Sequence, residues 1–390
     1  MPSTPDQHAH PVAPDRRAVS IDALRGLGIL GILLVNIQYF GMGLMHKAPN
    51  PSDLDHLVRA LVAILCESKF VTIFSLLFGA GIVLMDQSAQ RKGERWTGRF
   101  LMRTGILLVM GFLHAYLLWY GDILFTYALI GFVVFWFRRL HPALLIGIGC
   151  AWYALGLLAT GWIFALDSEG YPVPTAVEFA AARAGDLPRI MVYALIALYY
   201  QTGIFLLFSA WFNTGLMLVG MGLCKLGFLQ GSWRTKRYLI FIALGLLVAL
   251  PLIALAYQTR PGGAGMSLAW AYTNLALAPF VSLAYCSILI LACTRKTPNL
   301  AANALASVGR TALTNYLLQS VLCVIIFYHL GQIGRHNDAT VQTIALAILA
   351  LQLVASPLWL KAFRFGPMEW LWRSLTYREF EPMRRRATPT

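Results

Sequence analysis

Long apolar stretches alternate with short polar or basic ones along the whole chain. Stretches 27–45, 57–85, 101–119, 123–137, 143–166, 190–223, 238–257, 270–293, 313–328 and 341–360 are long enough, or nearly so, to cross roughly 30 Å of hydrocarbon as helices. Backbone groups in lipid must find partners within the chain, so such runs fold as helices. The short segments of alternating hydrophobicity that mark a β-barrel do not occur. The pattern predicts an all-α, polytopic membrane protein, a bundle of about ten transmembrane helices with the N- and C-termini cytoplasmic.

Two stretches exceed one upright span. Stretch 57–85 carries Glu67, Ser68 and Lys69, which predicts a tilted helix, or an outer amphipathic helix followed by a membrane helix from Phe70. Stretch 190–223 contains Gln201 and Gly203 and suggests an interfacial helix before its span. The largest outer loop is 167–189. Residues 366–373 (GPMEWLWR) predict a short helix in the headgroup layer, with Trp and Arg as anchors. No repeat of fixed period occurs. Three regions follow: a disordered tail over 1–15, a transmembrane domain over 16–378 and a basic tail over 379–390.

Composition agrees, with 58% hydrophobic and 12% charged residues. The net charge of +14 raises the question of nucleic acid. Placement answers it. With a cytoplasmic N-terminus, the outer segments hold only Lys47, Arg59, Arg183, Arg189, Arg260 and Arg335, and nearly all other Lys and Arg fall inside. The charge sets topology, and the partner it implies is a lipid bilayer, not nucleic acid. The first span lacks a following cleavage pattern and is not a removable signal peptide. The six cysteines form no CxxC pair and suit small buried hydrophobes.

Polar residues inside a membrane are functional candidates by default, because burying them there is costly. Arg25 is followed eleven positions later by Asn36, and Arg103 at the same interval by His114. Eleven residues turn a helix by about three turns plus 20° and advance it by about 16 Å, so each pair shares a face. Such a stripe suits a phosphate-bearing ligand at the inner end and chemistry above it. Ordinary positive-inside anchoring and interhelical bonding explain the same residues. His114 is the strongest candidate base, with Asp122 able to fix its tautomer, although Asp122 also suits a helix N-cap. Tyr120 lies in the turn between them. His46, beyond Gly41 and Gly43, is either a second candidate base or an exposed loop residue. Asn315 and Gln319 share a face below His329, with Arg310 at the inner end. They suit a substrate site or a helix contact equally. Walker, zincin, nucleophile-elbow and Cys/His metal signatures are absent, so no metal and no bound cofactor is expected.

Segments 18–40 (AVSIDALRGLGILGILLVNIQYF), 69–81 (KFVTIFSLLFGAG), 111–131 (GFLHAYLLWYGDILFTYALIG), 308–320 (VGRTALTNYLLQS) and 367–376 (PMEWLWRSLT) resemble the YeiB-like bacterial inner-membrane family. The resemblance implies a multi-pass inner-membrane protein carrying a domain of unknown function. The first spans are also distantly similar to transmembrane acyltransferases, namely heparan-alpha-glucosaminide N-acetyltransferase and the OafA-type sugar O-acyltransferases. The OafA-type enzymes have His where this chain has Asn36. The heparan enzyme has Asn there and a catalytic His eleven residues later, where this chain has His46 after ten.

The resulting expectation is transfer of an acyl group from cytosolic acyl-CoA to a small-molecule or lipid-linked acceptor, such as an envelope sugar or lipid. Arg25, Arg103 and Arg310 would hold the donor phosphates and His114 would be the base, oriented by Asp122. Asn36 would bind the thioester oxygen. A transporter or flippase using the same polar stripe, and a non-catalytic membrane partner protein, are the alternatives.

Overall fold

The computed structural model describes residues 19–41, 51–166, 199, 202–203, 210–259, 267–294 and 300–385. Thirteen helices run through these residues, and no named strand occurs among them. They are α1 (Val19–Gly41), α2 (Asp53–Leu65), α3 (Lys69–Arg91), α4 (Thr97–Leu117), α5 (Leu124–Val134), α6 (Pro142–Leu166) and α7 (Ala210–Lys225). Then follow α8 (Thr235–Tyr257), α9 (Leu268–Cys293), α10 (Leu300–Arg310), α11 (Ala312–His329), α12 (Asp338–Ala362) and α13 (Pro367–Tyr377). Helices α8 and α11 each contain a π-helical stretch, Leu244–Ala249 and Val324–His329.

Among the described residues, eight segments are long and apolar enough to span a bilayer. Of the remaining two expected spans, one falls on α5, continued by a 3₁₀ turn over Phe135–Arg139, and the described end of stretch 190–223 forms α7, while the interfacial helix expected before it lies largely outside the described residues. Stretch 57–85 is divided as expected: α2 ends before Cys66 and α3 begins at Lys69, with Ser68 at φ 68° making the bend. A capping box between Ser52 and Asp55 fixes the start of α2. Lys69 turns inward, fully buried, and donates to Asn274 Oδ1 and the Ala63 carbonyl.

Helix α1 is apolar on nearly every face and sits centrally, packed by α3, α10, α11 and α12. Glycines set the closest crossings, as expected where lipid supplies no hydrophobic drive between helices. A β-carbon added to Gly26 would lie 2.0 Å from the Leu305 carbonyl oxygen, and one on Gly309 would lie 1.8 Å from that of Asp22. Helices α1 and α10 therefore touch backbone to backbone. Gly79 and Gly220 join α3 to α7 in the same way, and Gly111 lets α4 approach the start of α5.

The N-terminal tail and loop 167–189 lie outside the described residues. The start of the basic tail is folded back, with Phe363 bridged to Arg384 and Glu381 ion-paired with Arg364 and Arg373. Stretch 300–310, rich in small residues and without an expected span, is a full helix.

Candidate functional site

Two glycine crossings put chemistry in place. Gly26 and Gly309 stand next to Arg25 and Arg310, so their contact brings both guanidinium-bearing residues to one wall. There they line a cavity of about 220 Å³, with Arg103 from α4 and Arg373 from α13. Glu369 is the single carboxylate-bearing residue of the lining, so cations dominate. Arg25 pairs with Asp22 at 2.7 Å. Arg103 lies over the Trp372 ring, 3.5 Å from its centroid, while the Trp372 indole donates to the Arg103 carbonyl.

Helix α13 forms the base of this cavity. Its Glu369 accepts from the backbone N–H groups of Leu313 and Thr314 and from the Thr314 hydroxyl, and so caps α11 from another helix. Burial pushes the Glu369 carboxyl up from its ordinary value, and the three donated bonds hold it back. The expected interfacial helix is present, but Trp372 and Arg373 face the cavity and are more than membrane anchors.

Apolar residues of α3, α4 and α5 line the rest, and the cavity reaches Tyr127 and Tyr316. Directly behind Tyr316 lies a buried polar cluster. His114 Nδ1 is 2.7 Å from Asp122 Oδ1, a close approach outside in-line hydrogen-bond geometry, and His114 Nε2 is 2.8 Å from Ser320 Oγ. The Tyr316 ring centroid stands 5.1 Å from that of His114, and its hydroxyl reaches Asp122 Oδ1 at 3.5 Å. All four residues are at most 5% exposed. The Gly111 approach of α4 to α5 creates the pairing, because His114 stands one turn beyond Gly111 and Asp122 lies two positions before the start of α5. Asp122 is also the cap: its Oδ2 accepts from Phe125 N at 2.6 Å. The capping reading of Asp122 is met, and the same carboxylate stands beside the imidazole.

The remaining candidates lie elsewhere. Asn36 is half-buried and does not line the cavity. Its height on α1, about 16 Å above Arg25, carries it past the end of the cavity at Tyr316. Helix α1 and helix α4 are not packed side by side, so His114 meets Ser320 of α11 instead of the Asn36 amide. Asn315 and Gln319 are structural. Asn315 Nδ2 donates to Thr311 and Ser356, and Gln319 Nε2 to Gln352 Oε1, which ties α11 to α12. Tyr120 packs into an apolar cluster with Trp119 and Phe40. His329 is exposed at the end of α11. His46 lies outside the described residues.

Sequence reasoning missed Tyr316, Ser320, Glu369 and Arg373. Tyr316 and Ser320 are four apart, as are Asn315 and Gln319, but one position round the helix. That 100° step separates the face turned toward His114 from the face turned to α12.

The sequence has close relatives with the same span. A curated protein of Escherichia coli, "Uncharacterized protein YeiB", is 33% identical over 406 residues, covering 94% of this chain and 98% of the relative. This chain belongs to the YeiB-like family. A second YeiB-like relative, "Uncharacterized protein YxaH" of Bacillus subtilis, is 29% identical and covers 97% and 98% of the two chains. A third, an "Uncharacterized 39.9 kDa protein in amylase 3'region" of Bacillus acidopullulyticus, is 28% identical over 96% and 97%. The family model described as "Protein of unknown function (DUF418)" matches residues 223–379. That YeiB-like segment contains Arg310, Tyr316, Ser320, Glu369 and Arg373, the α10, α11 and α13 contributions to the site.

Proposed function

We propose that this protein is a membrane-bound acyltransferase that takes an acyl group from cytosolic acyl-CoA and passes it to an envelope sugar or lipid at the outer face. One observation carries this reading: a cavity rimmed by four arginines ends at Tyr316, whose ring packs on a buried imidazole that stands 2.7 Å from a carboxylate. The arginine rim suits the phosphates of the donor, since guanidinium groups bind phosphate oxygens through charge-assisted, often bidentate bonds. Arg103 and His114 are separated by about 16 Å along α4, a distance that the extended pantetheine arm of coenzyme A covers. The apolar walls between them suit that arm and a short acyl chain.

His114 then takes the proton from the attacking nucleophile, and Asp122 orients the ring and stabilises its protonated form. The thioester needs no metal or redox group for this step. Tyr316, which lines the end of the cavity, replaces Asn36 as the donor for the thioester oxygen.

The test uses purified protein in liposomes, [14C]acetyl-CoA and an envelope extract. The expected result is label in the sugar or lipid fraction, lost in His114→Ala. Absence of both acetyl-CoA binding and label transfer in folded protein would overturn the reading. Movement of an unmodified solute across the liposome, lost in the same variant, would favour a transporter.

A further inference from the structure

A general base needs only its imidazole and an orienting carboxylate, yet the described site holds a third member. Ser320 Oγ is 2.8 Å from His114 Nε2, on the side of the ring opposite Asp122. Serine, histidine and aspartate thus stand in the order of a nucleophile, its base and the orienter of that base. Three different segments supply them: α11, α4 and the turn before α5. Ser320 is 2% exposed, and the ring nitrogen is its close side-chain partner. Its other contact, to the Tyr316 carbonyl one turn below, is 3.5 Å and so at the outer limit of a hydrogen bond.

The size of the cavity bears on the order of events. At about 220 Å³ it falls below the roughly 300–1,000 Å³ usual for one small-molecule ligand. A cavity of that size favours one reactant at a time over both together.

We propose that Ser320 is the nucleophile and carries the acyl group as a seryl ester between two separate half-reactions. The proposal rests on the acyltransferase reading for the identity of the donor. In the first half, Ser320 Oγ bonds to the thioester carbonyl carbon while its proton passes to His114 Nε2. The C–S bond breaks, the leaving sulfur takes that proton, and the coenzyme A thiol departs. In the second half, the acceptor hydroxyl gives its proton to His114 Nε2 and its oxygen bonds to the acyl carbon. The C–Oγ bond breaks and Ser320 Oγ recovers the proton. Nothing is oxidised or reduced, and no third reactant is consumed. Tyr316 stands between the cavity and Ser320, so its ring shifts to admit the acyl carbon while its hydroxyl stays within reach of the thioester oxygen. That shift gives up its 3.5 Å contact with Asp122 and the 3.3 Å bond it accepts from Ile123 N.

The experiment uses the full chain in detergent with two probes. A fluorophosphonate, which phosphonylates activated serines, is followed by peptide mass mapping. [14C]Acetyl-CoA is followed by acid quench, which preserves a seryl ester. The expected result is modification of Ser320 by both probes, absent in Ser320→Ala and His114→Ala. Asp122→Asn should slow both by 100-fold or more (about 10⁴-fold in a serine triad). Ser320→Cys keeps a nucleophile and should trap acetyl as a thioester. Melting temperatures check that each variant is folded. Transfer of acetyl to acceptor in folded Ser320→Ala would overturn the serine carrier and leave the acyltransferase standing with His114 as base. Failure of both probes to modify Ser320 in folded wild type would overturn it too. Fluorophosphonate modification without any acetyl-CoA binding would support the nucleophile and overturn the donor.

Discussion

Replacing Gly309 by alanine tests how the arginine wall is built. The added β-carbon would fall 1.8 Å from the Asp22 carbonyl oxygen, and the reciprocal Gly26→Ala carbon 2.0 Å from that of Leu305. Carbon–oxygen contacts between helices settle near 3.3–3.6 Å, so α1 and α10 would have to part by about 1.5 Å. Both clash partners are backbone atoms of packed helices, so rotamer changes cannot relieve them. Overpacking of this kind costs about 1–3 kcal/mol. One separation relieves both clashes, so the double variant should lose less than twice the single loss. Gly105→Ala is the control, because a β-carbon there meets nothing within 4 Å. It should be neutral or slightly stabilising (about 0.4–1 kcal/mol). Thermal melts by intrinsic fluorescence should show Gly26→Ala and Gly309→Ala lowered by several degrees, with Gly105→Ala unchanged or raised. If Gly309→Ala melts no lower than Gly105→Ala, the backbone contact is not what holds Arg25 beside Arg310.

Three further outcomes separate structural from chemical roles. Asp122→Asn retains an N-cap side chain for α5 but loses the charge facing His114, so its melting temperature should stay near wild type while acetyl transfer falls by orders of magnitude (about 10⁴-fold in a serine triad). Glu369→Ala removes an acceptor of three hydrogen bonds at the start of α11 and should cost about 1.5–3 kcal/mol, read as a lower melting temperature, with α13 becoming more accessible to protease. Gln319→Ala cuts a link from α11 to α12 and should cost about 0.6 kcal/mol without changing coenzyme A affinity; a large affinity loss would return Gln319 to the ligand site.

Which parts of this architecture are legible in the sequence follows from range. Span length and basic loops act locally, so the membrane helices can be read directly, including the break at Glu67, Ser68 and Lys69. The pairing of His114 with Asp122 is also short-range, since the residues flank one tight turn. Contacts between distant helices are different. Ser320 lies 206 positions from His114, and only the angular position of α11 decides whether Ser320 or its neighbour Gln319 faces the ring. The stretch AANALASVGR lacks the apolar content of a span, so α10 is invisible until Gly309 meets α1. Trp372 and Arg373 carry the composition of a membrane anchor, and only the docking of Glu369 on α11 turns them toward the cavity.

Equilibrium binding of coenzyme A to the full chain, by calorimetry in detergent, tests the central claim most directly. Wild type should bind, and alanine at Arg25, Arg103 or Arg310 should each weaken binding about 10- to 100-fold (about 1.5–3 kcal/mol per charge-assisted contact). Alanine at the exposed His329 should leave it unchanged. Affinity that is indifferent to all three arginines would contradict a phosphate-binding rim beneath His114.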